Sequence, residues 1–335
     1  MKVDGGIPGD LSGAAAVARD LEAAGYDGAW AAETSHDPFF PLLLAAEHSQ
    51  RLELGTGIAI ALPRSPMHLA NVGWDLQAYS RGRFMLGLGS QVQAHIEKRF
   101  SATWSQPAAR MRELILAVRA IWDAWNNGTK LDFRGDFYQH TLMTPFFSPG
   151  PNPYGNPKVL LAAVGERMTE VAGEVGDGLL AHGFTTERYF REVTIPSVER
   201  GLARSGRTRA EFEISCPVFV VTGATEEEIV VAERGTREQI AFYASTPNYR
   251  PVLELHGWGD LQAELNVLSK RGEWQEMGRQ IDDDVLNAFA VRGEPEEIPK
   301  LVVDRFGDVL DRVKFYAPYQ SDPDRWKAVL AAFRA

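Results

Sequence analysis

Three stretches of this chain repeat one device, in which an apolar run of strand length ends in small residues and passes straight into a helical pattern. They are LELGTGIAIAL (52–62), RGRFMLGLGSQVQAH (81–95) and KVLLAAVGERM (158–168). Read in the same way, the whole chain offers eight β-rich runs, near 2–6, 27–33, 52–60, 83–89, 158–164, 177–182, 212–222 and 312–318. Amphipathic helical patterns fall between them, over 11–24, 39–50, 66–80, 107–127, 166–175, 186–205, 225–244 and 296–310, and 322–333 closes the series. Strict strand–helix alternation implies parallel strands joined by right-handed crossovers. Eight such units close most naturally as an α/β (β/α)8 TIM barrel, with a doubly wound open sheet as the alternative.

Barrels of this kind routinely reach the length of this chain, so the expectation is a single domain over residues 1–335. Two stretches exceed the minimal repeat and are expected as insertions, one after strand four (129–157) and one before strand eight (245–292). The first contains GDFYQ and the turn-rich PFFSPGPNPYGNP; the second carries Tyr249, Trp258, Trp274 and Asp282 to Asp284. Long insertions usually serve as lids or binding loops.

Composition narrows the function classes. A net charge of −10 argues against nucleic acid as a partner, because that interaction depends on clustered Lys and Arg. The opening MKVDGGIPGDLSG has no apolar segment of signal-peptide length, and no later run approaches the ~20 residues that span a bilayer. The expectation is a cytoplasmic protein with no membrane partner. A single cysteine, Cys216 in the apolar run ISCPVFVV, excludes an internal disulfide and reads as a buried structural thiol.

The segments GYDGAWAAET, RLELGTGIAI, RGRFMLGLGSQ and VLLAAVGERMTEVAGEVGDGLL, with the closing RGEPEEIPKLV and DRVKFYAPY, resemble the bacterial-luciferase-like family, in particular its coenzyme F420-dependent oxidoreductase branch. The resemblance runs from Lys2 to about Tyr319. It implies a TIM barrel, hydride exchange between a deazaflavin and a small organic substrate, and a homodimer.

In a TIM barrel the useful positions are the C-terminal ends of the strands. The resemblance implies that Glu33, at the end of strand two, hydrogen-bonds the cofactor ring. A histidine commonly follows that acid in the family; here Thr34 stands in its place and His36 comes two residues later. Thr34 and His36 are therefore the candidates for the accompanying proton, beside Glu33 as the orienting group. Asp37 and Pro38 also suit a helix start, as N-cap and first helical residue, so part of this motif needs no catalytic role.

At the end of strand three the resemblance implies a non-prolyl cis peptide between Gly57 and Ile58, forming a bulge behind the ring. At strand four it implies that Gly89, Ser90, Gln91 and Val92 hold the cofactor's side chain and phosphate. Strand five ends in Ala162, Ala163, Val164 and Gly165, where small residues lead into free helix N–H groups, a combination that receives an anion without a basic side chain. Met168 adds a contact there, and His182 and Gly183 end strand six at the same mouth.

Other readings stand beside this one. FMN in place of F420 would support a luciferase-like monooxygenase, and the departure at Thr34 also fits a non-catalytic flavin or deazaflavin binder. A metal-dependent hydrolase barrel would want a dense ligand set; His36, His68, His95 and His182 lack metal-ligand spacing, so no metal is expected. Arg64, Lys98, Arg99 and Arg167 are the basic residues that could meet an acidic cofactor tail.

Overall fold

The computed structural model describes residues 1–334. Its strands are β1 (Lys2–Ile7), β2 (Gly28–Ala31), β3 (Glu53–Thr56), β4 (Ala59–Ile60), β5 (Phe84–Gly89), β6 (Phe133–Arg134), β7 (Gln139–His140), β8 (Lys158–Ala163), β9 (Gly178–Ala181), β10 (Glu213–Val221), β11 (Ala290–Arg292) and β12 (Arg312–Tyr316). Pairing runs β11–β10–β12–β1–β2–β3–β5–β8–β9, with β9 also paired to β10, while β6 and β7 form a separate antiparallel hairpin. This is the (β/α)8 barrel expected from the alternation. Each of the eight sequence runs coincides with a strand of the ring; β4 and β11 are short extensions that pair beyond its main ladders.

The chain divides into two compact units, one of Asp4–Leu180 with Ser197–Glu213, the other of Met1–Val3, Ala181–Pro196 and Ile214 to the C-terminus. In the first unit the helices are set by caps and periodic burial. Helix α1 (Leu11–Ala24) starts where Asp10 accepts the Ser12 N–H and stops at Gly25, whose φ of 91° suits a residue without Cβ. Helix α2 covers Phe39–Glu47, and α3 (Pro66–Tyr79) begins with Ser65 as cap and proline in its first turn. Helix α4 (Pro107–Asn127) buries Met111, Leu114, Ile115, Val118, Ile121, Trp122 and Trp125, a stripe of helical period. Trp122 and Trp125 both pack their rings against Trp74 of α3. Helix α5 follows over Glu166–Val175.

In the second unit helix α6 (Glu226–Ala244) shares one apolar core with the 245–292 insertion. The insertion is helical over Arg250–Glu254, Gly259–Arg271, Trp274–Arg279 and Asp283–Phe289. It sends Val252, Leu253, Leu265, Met277, Ile281, Leu286 and Phe289 into that core. Trp258 packs partly against the cluster, whereas Trp274 is exposed. No helix among the described residues is long and apolar enough to cross a membrane.

Strand three is broken, and the break has a register cause. Gly55 pairs with Met85 and Ala59 with Leu88, so Thr56, Gly57 and Ile58 stand opposite only Leu86 and Gly87. This is a bulge in a parallel pair. The Thr56 hydroxyl bridges it, donating to the Gly87 carbonyl at 2.6 Å and accepting the Gly87 N–H at 2.9 Å. Gly87 is thereby forced to be glycine, since a Cβ there would lie 1.8 Å from the Thr56 carbonyl oxygen.

Gly87→Ala is expected to destabilise the protein by about 3 kcal/mol or more, because the obstacle is backbone. Thr56→Val, which strands two buried backbone groups, is expected to cost about 1–3 kcal/mol, and Thr56→Ser much less. Gly165→Ala serves as the control, because nothing lies within 4 Å of a Cβ at that position. Urea unfolding of the four variants measures the order.

Candidate active site

The bulge carries the first group of site residues. The Gly57–Ile58 peptide is cis. Its flanks are fixed on both sides: the Gly57 N–H donates to the Ala31 carbonyl at 2.8 Å, and the Ile58 carbonyl accepts the Glu33 N–H at 3.1 Å. The Trp30 ring lies beneath, where a Cβ on Gly55 would meet it at 2.4 Å and one on Gly57 at 3.4 Å. The Ile58 side chain rests on Gly89, which has no room for a side chain of its own.

Glu33 is held to this bulge by its carboxylate as well as its backbone. Its Oε2 accepts the Ile60 N–H at 2.7 Å and the Arg64 guanidinium at 2.6 Å, and only 6% of the side chain is exposed. Arg64 in turn donates to the Ile60 carbonyl at 2.7 Å and to Asp37 at 2.9 Å, with its guanidinium 5.7 Å from the centre of the Phe39 ring. A buried carboxylate needs such partners, since desolvation would otherwise outweigh what holds it. Both bonds fall on Oε2. Arg64 is therefore an ion-pair partner inside this cluster rather than a surface base for an acidic tail.

Asp37 caps α2 from one position earlier than the sequence suggests. Its Oδ1 accepts the Phe39 N–H at 2.9 Å, and Pro38 occupies the cap position itself. Thr34 is exposed, and its carbonyl accepts a hydrogen bond from the Arg99 guanidinium. His36 is exposed too, with its Cβ and ring packed toward Gly9, where a Cβ would come within 3.4 Å.

After β5 the backbone turns sharply. Gln91 adopts φ of 60°, in the left-handed region, and its own Oε1 accepts the Val92 N–H at 3.0 Å while the Ser90 hydroxyl donates to the Gln91 carbonyl at 3.2 Å. The Gly89 carbonyl accepts the Ala61 N–H at 2.9 Å, tying this turn to the segment after the bulge. Val92 is exposed.

The third group lies where β8 meets α5. Gly165 caps the helix with an extended backbone and no side-chain bond to the first-turn N–H groups. The acid of that first turn, Glu166, is drawn to Arg200 at 2.9 Å, and Arg200 also holds Glu170 at 2.7 Å. Arg167 is exposed and Met168 half-buried. The first-turn N–H groups of this helix take no side-chain cap, and a Cβ on Gly165 would meet nothing within 4 Å.

His182 and Gly183 belong to the second unit. The His182 Nδ1 accepts the Phe184 N–H at 3.0 Å. Its ring stacks on Tyr249, with centroids 4.8 Å apart, and meets Tyr243 edge-on at 4.7 Å. Burial among these rings lowers its pKa to about 4, so the imidazole is neutral at physiological pH. The Cys216 thiol is buried and pushed far above its ordinary range, which makes it inert. Among the described residues no cluster of three or more His, Cys, Asp or Glu is placed to hold a metal ion.

Three residues that matter here carry no motif. Arg64 and Thr56 act on partners 31 positions away, Glu33 and Gly87, and Tyr249 reaches His182 from the insertion. Only the folded chain brings these pairs together.

A family model described as luciferase-like monooxygenase matches residues 2–311. An uncharacterized protein of Mycobacterium tuberculosis (strain ATCC 25618 / H37Rv) is 59% identical over 313 residues, covering 93% of this chain and 92% of that protein. The 5,10-methylenetetrahydromethanopterin reductase of Archaeoglobus fulgidus is 25% identical over 285 residues, covering 83% and 81%. Among solved structures, the coenzyme F420-dependent tetrahydromethanopterin reductase from Methanopyrus kandleri superposes with a TM-score of 0.79 at 19% identity, covering 99% of this chain and 97% of that one.

Arg64→Gln leaves the Glu33 carboxylate buried with one hydrogen bond, and is expected to cost about 2–3 kcal/mol, part of it recovered when Glu33→Gln is added. Thermal unfolding of the single and double variants measures this coupling. For His182 the folded pKa of about 4 lies below the ordinary 6.5, so the unfolded chain binds the extra proton in between. Stability is expected to fall by about 2 kcal/mol as pH drops from 6.5 toward 4, with the slope reduced in His182→Phe.

Proposed function

Because the chain belongs to the luciferase-like monooxygenase family, we propose that it is an oxidoreductase that binds coenzyme F420 and transfers hydride between the deazaflavin and a small organic substrate. The observation that carries this reading is the bulge at Gly57–Ile58, with the Glu33 carboxylate anchored to it and the open helix start at Gly165 in the same unit. The reductase relative from Archaeoglobus fulgidus bears the description of a methylenetetrahydromethanopterin reductase, and the solved reductase from Methanopyrus kandleri is described as F420-dependent. The second description favours a deazaflavin.

The residues present suit such a group. Gly57 and Ile58 offer a raised backbone against one ring face. Glu33 has its Oε2 occupied by Ile60 and Arg64, which leaves Oε1 to meet a ring edge. Ser90, Gln91 and Val92 form a rigid turn beside Gly89 for the cofactor's side chain, and Ala162, Ala163, Val164, Gly165 and Met168 line the start of α5 for its phosphate. Arg167, exposed at that helix start, adds positive charge. When bound, the deazaflavin supplies a hydride donor or acceptor carbon and does not usefully activate oxygen.

The proton that accompanies hydride is assigned to Thr34 or His36, both exposed just after Glu33. Among the described residues neither side chain is hydrogen-bonded to another side chain. His182 and Gly183 complete the proposed set. A homodimer and a cytoplasmic location belong to the same proposal, on the strength of the family resemblance.

The second reading, an FMN-dependent monooxygenase, is favoured by the description of the family model itself. Titration of the protein with oxidised F420 and with FMN, followed by ligand fluorescence, separates the two. Tight F420 binding with weak FMN binding is expected; the reverse overturns the proposal. Glu33→Gln is expected to weaken F420 binding about tenfold, as loss of a charge-assisted hydrogen bond does. Arg167→Ala is expected to weaken it only a few-fold, in a manner that fades with added salt.

A further inference from the structure

His182 has one nitrogen committed and one not. Its Nδ1 takes the Phe184 N–H, which requires an unprotonated lone pair there, so a neutral ring must carry its proton on Nε2. No hydrogen bond joins that Nε2–H to another described residue, and the ring is half-buried. Protonating the ring would make both nitrogens donors and break the bond to Phe184, and it would place a cation between the Tyr249 and Tyr243 rings.

The groups around the ring are aromatic side chains and a buried thiol. Helix α6 contributes Tyr243, whose hydroxyl lies 3.0 Å from that of Tyr316 on β12. The segment after α6 contributes Tyr249, pushed up to about 12 by burial. Strand β10 contributes Cys216, whose thiol lies 3.8 Å from the His182 carbonyl and is also pushed up. A half-buried N–H donor among aromatic rings suits an acceptor carried on an apolar body.

We propose that His182 is a tautomer-locked, uncharged hydrogen-bond donor, and that its Nε2–H binds a neutral oxygen acceptor, a carbonyl above all, on an apolar ligand. The proposal rests on the oxidoreductase reading only in taking that acceptor to be the substrate's. The donor stands on the second unit alone.

Two measurements test it without turnover. Long-range 15N–1H correlation spectra of the labelled protein are expected to show a bare Nδ1 and a protonated Nε2 for His182, unchanged from pH 8 to pH 5. A protonated Nδ1, or titration near pH 6.5, overturns the proposal. Acetophenone and ethylbenzene, equal in shape but for the oxygen, are then titrated against the protein while the His182 Nε2–H resonance and tyrosine fluorescence are followed.

Acetophenone is expected to bind about five- to tenfold more tightly than ethylbenzene, with a downfield shift of the Nε2–H proton. The preference is expected to vanish in His182→Phe and to return in part in His182→Gln, which restores an N–H donor. Equal binding of the two probes, or binding of neither, overturns the proposal. Failure of F420 to bind while these results hold would remove the cofactor reading and leave the donor in place.

Discussion

Between Gly55 and Ala59 the third strand carries one more residue than its neighbour, and a parallel ladder cannot absorb that excess with backbone groups alone. Thr56 supplies the missing rungs from its side chain, acting as donor and acceptor to the two backbone groups of Gly87. Every group described at this strand end follows from that exchange. The bulge presents Gly57 and Ile58, the resumed strand aims the Ile60 N–H, and that N–H receives Glu33. Without the hydroxyl the Gly87 N–H and carbonyl would be left unpaired at this strand end.

The Glu33 carboxylate shows how such a site is kept in one geometry. This carboxylate is nearly buried, and Arg64 holds it from the loop after β4 while the Ile60 N–H holds it from the resumed strand. Arg64 is itself held by the Ile60 carbonyl and Asp37, and Asp37 also caps α2. Bulge, carboxylate, arginine and helix start form one closed network. Buried networks of this type are stable only when each member is satisfied, so they move together or not at all.

The barrel was legible because its evidence is local. Apolar runs and helical periodicity are written in consecutive residues, and α1, α4 and α5 fall where that pattern puts them. The small residues at the strand ends were legible, though not what packs against them. At Gly87 it is the Thr56 carbonyl, while Gly89 yields to the Ile58 side chain. Arg64 read from sequence as one basic residue among several, since nothing nearby announces a carboxylate 31 positions earlier. Likewise the 245–292 stretch read only as an insertion, and its apolar residues form part of the interior of the second unit.

That interior role bears on how this protein could diversify. A segment that supplies the core of its own unit cannot be exchanged wholesale between relatives in the way a surface loop can, because Leu253, Leu265, Met277 and Phe289 have no substitutes elsewhere. Its outward positions are under no such obligation; Val267 and Trp274 are exposed. Sequence drift in this region should therefore be one-sided, with an inner register of apolar residues inherited almost unchanged and an outer one open to remodelling.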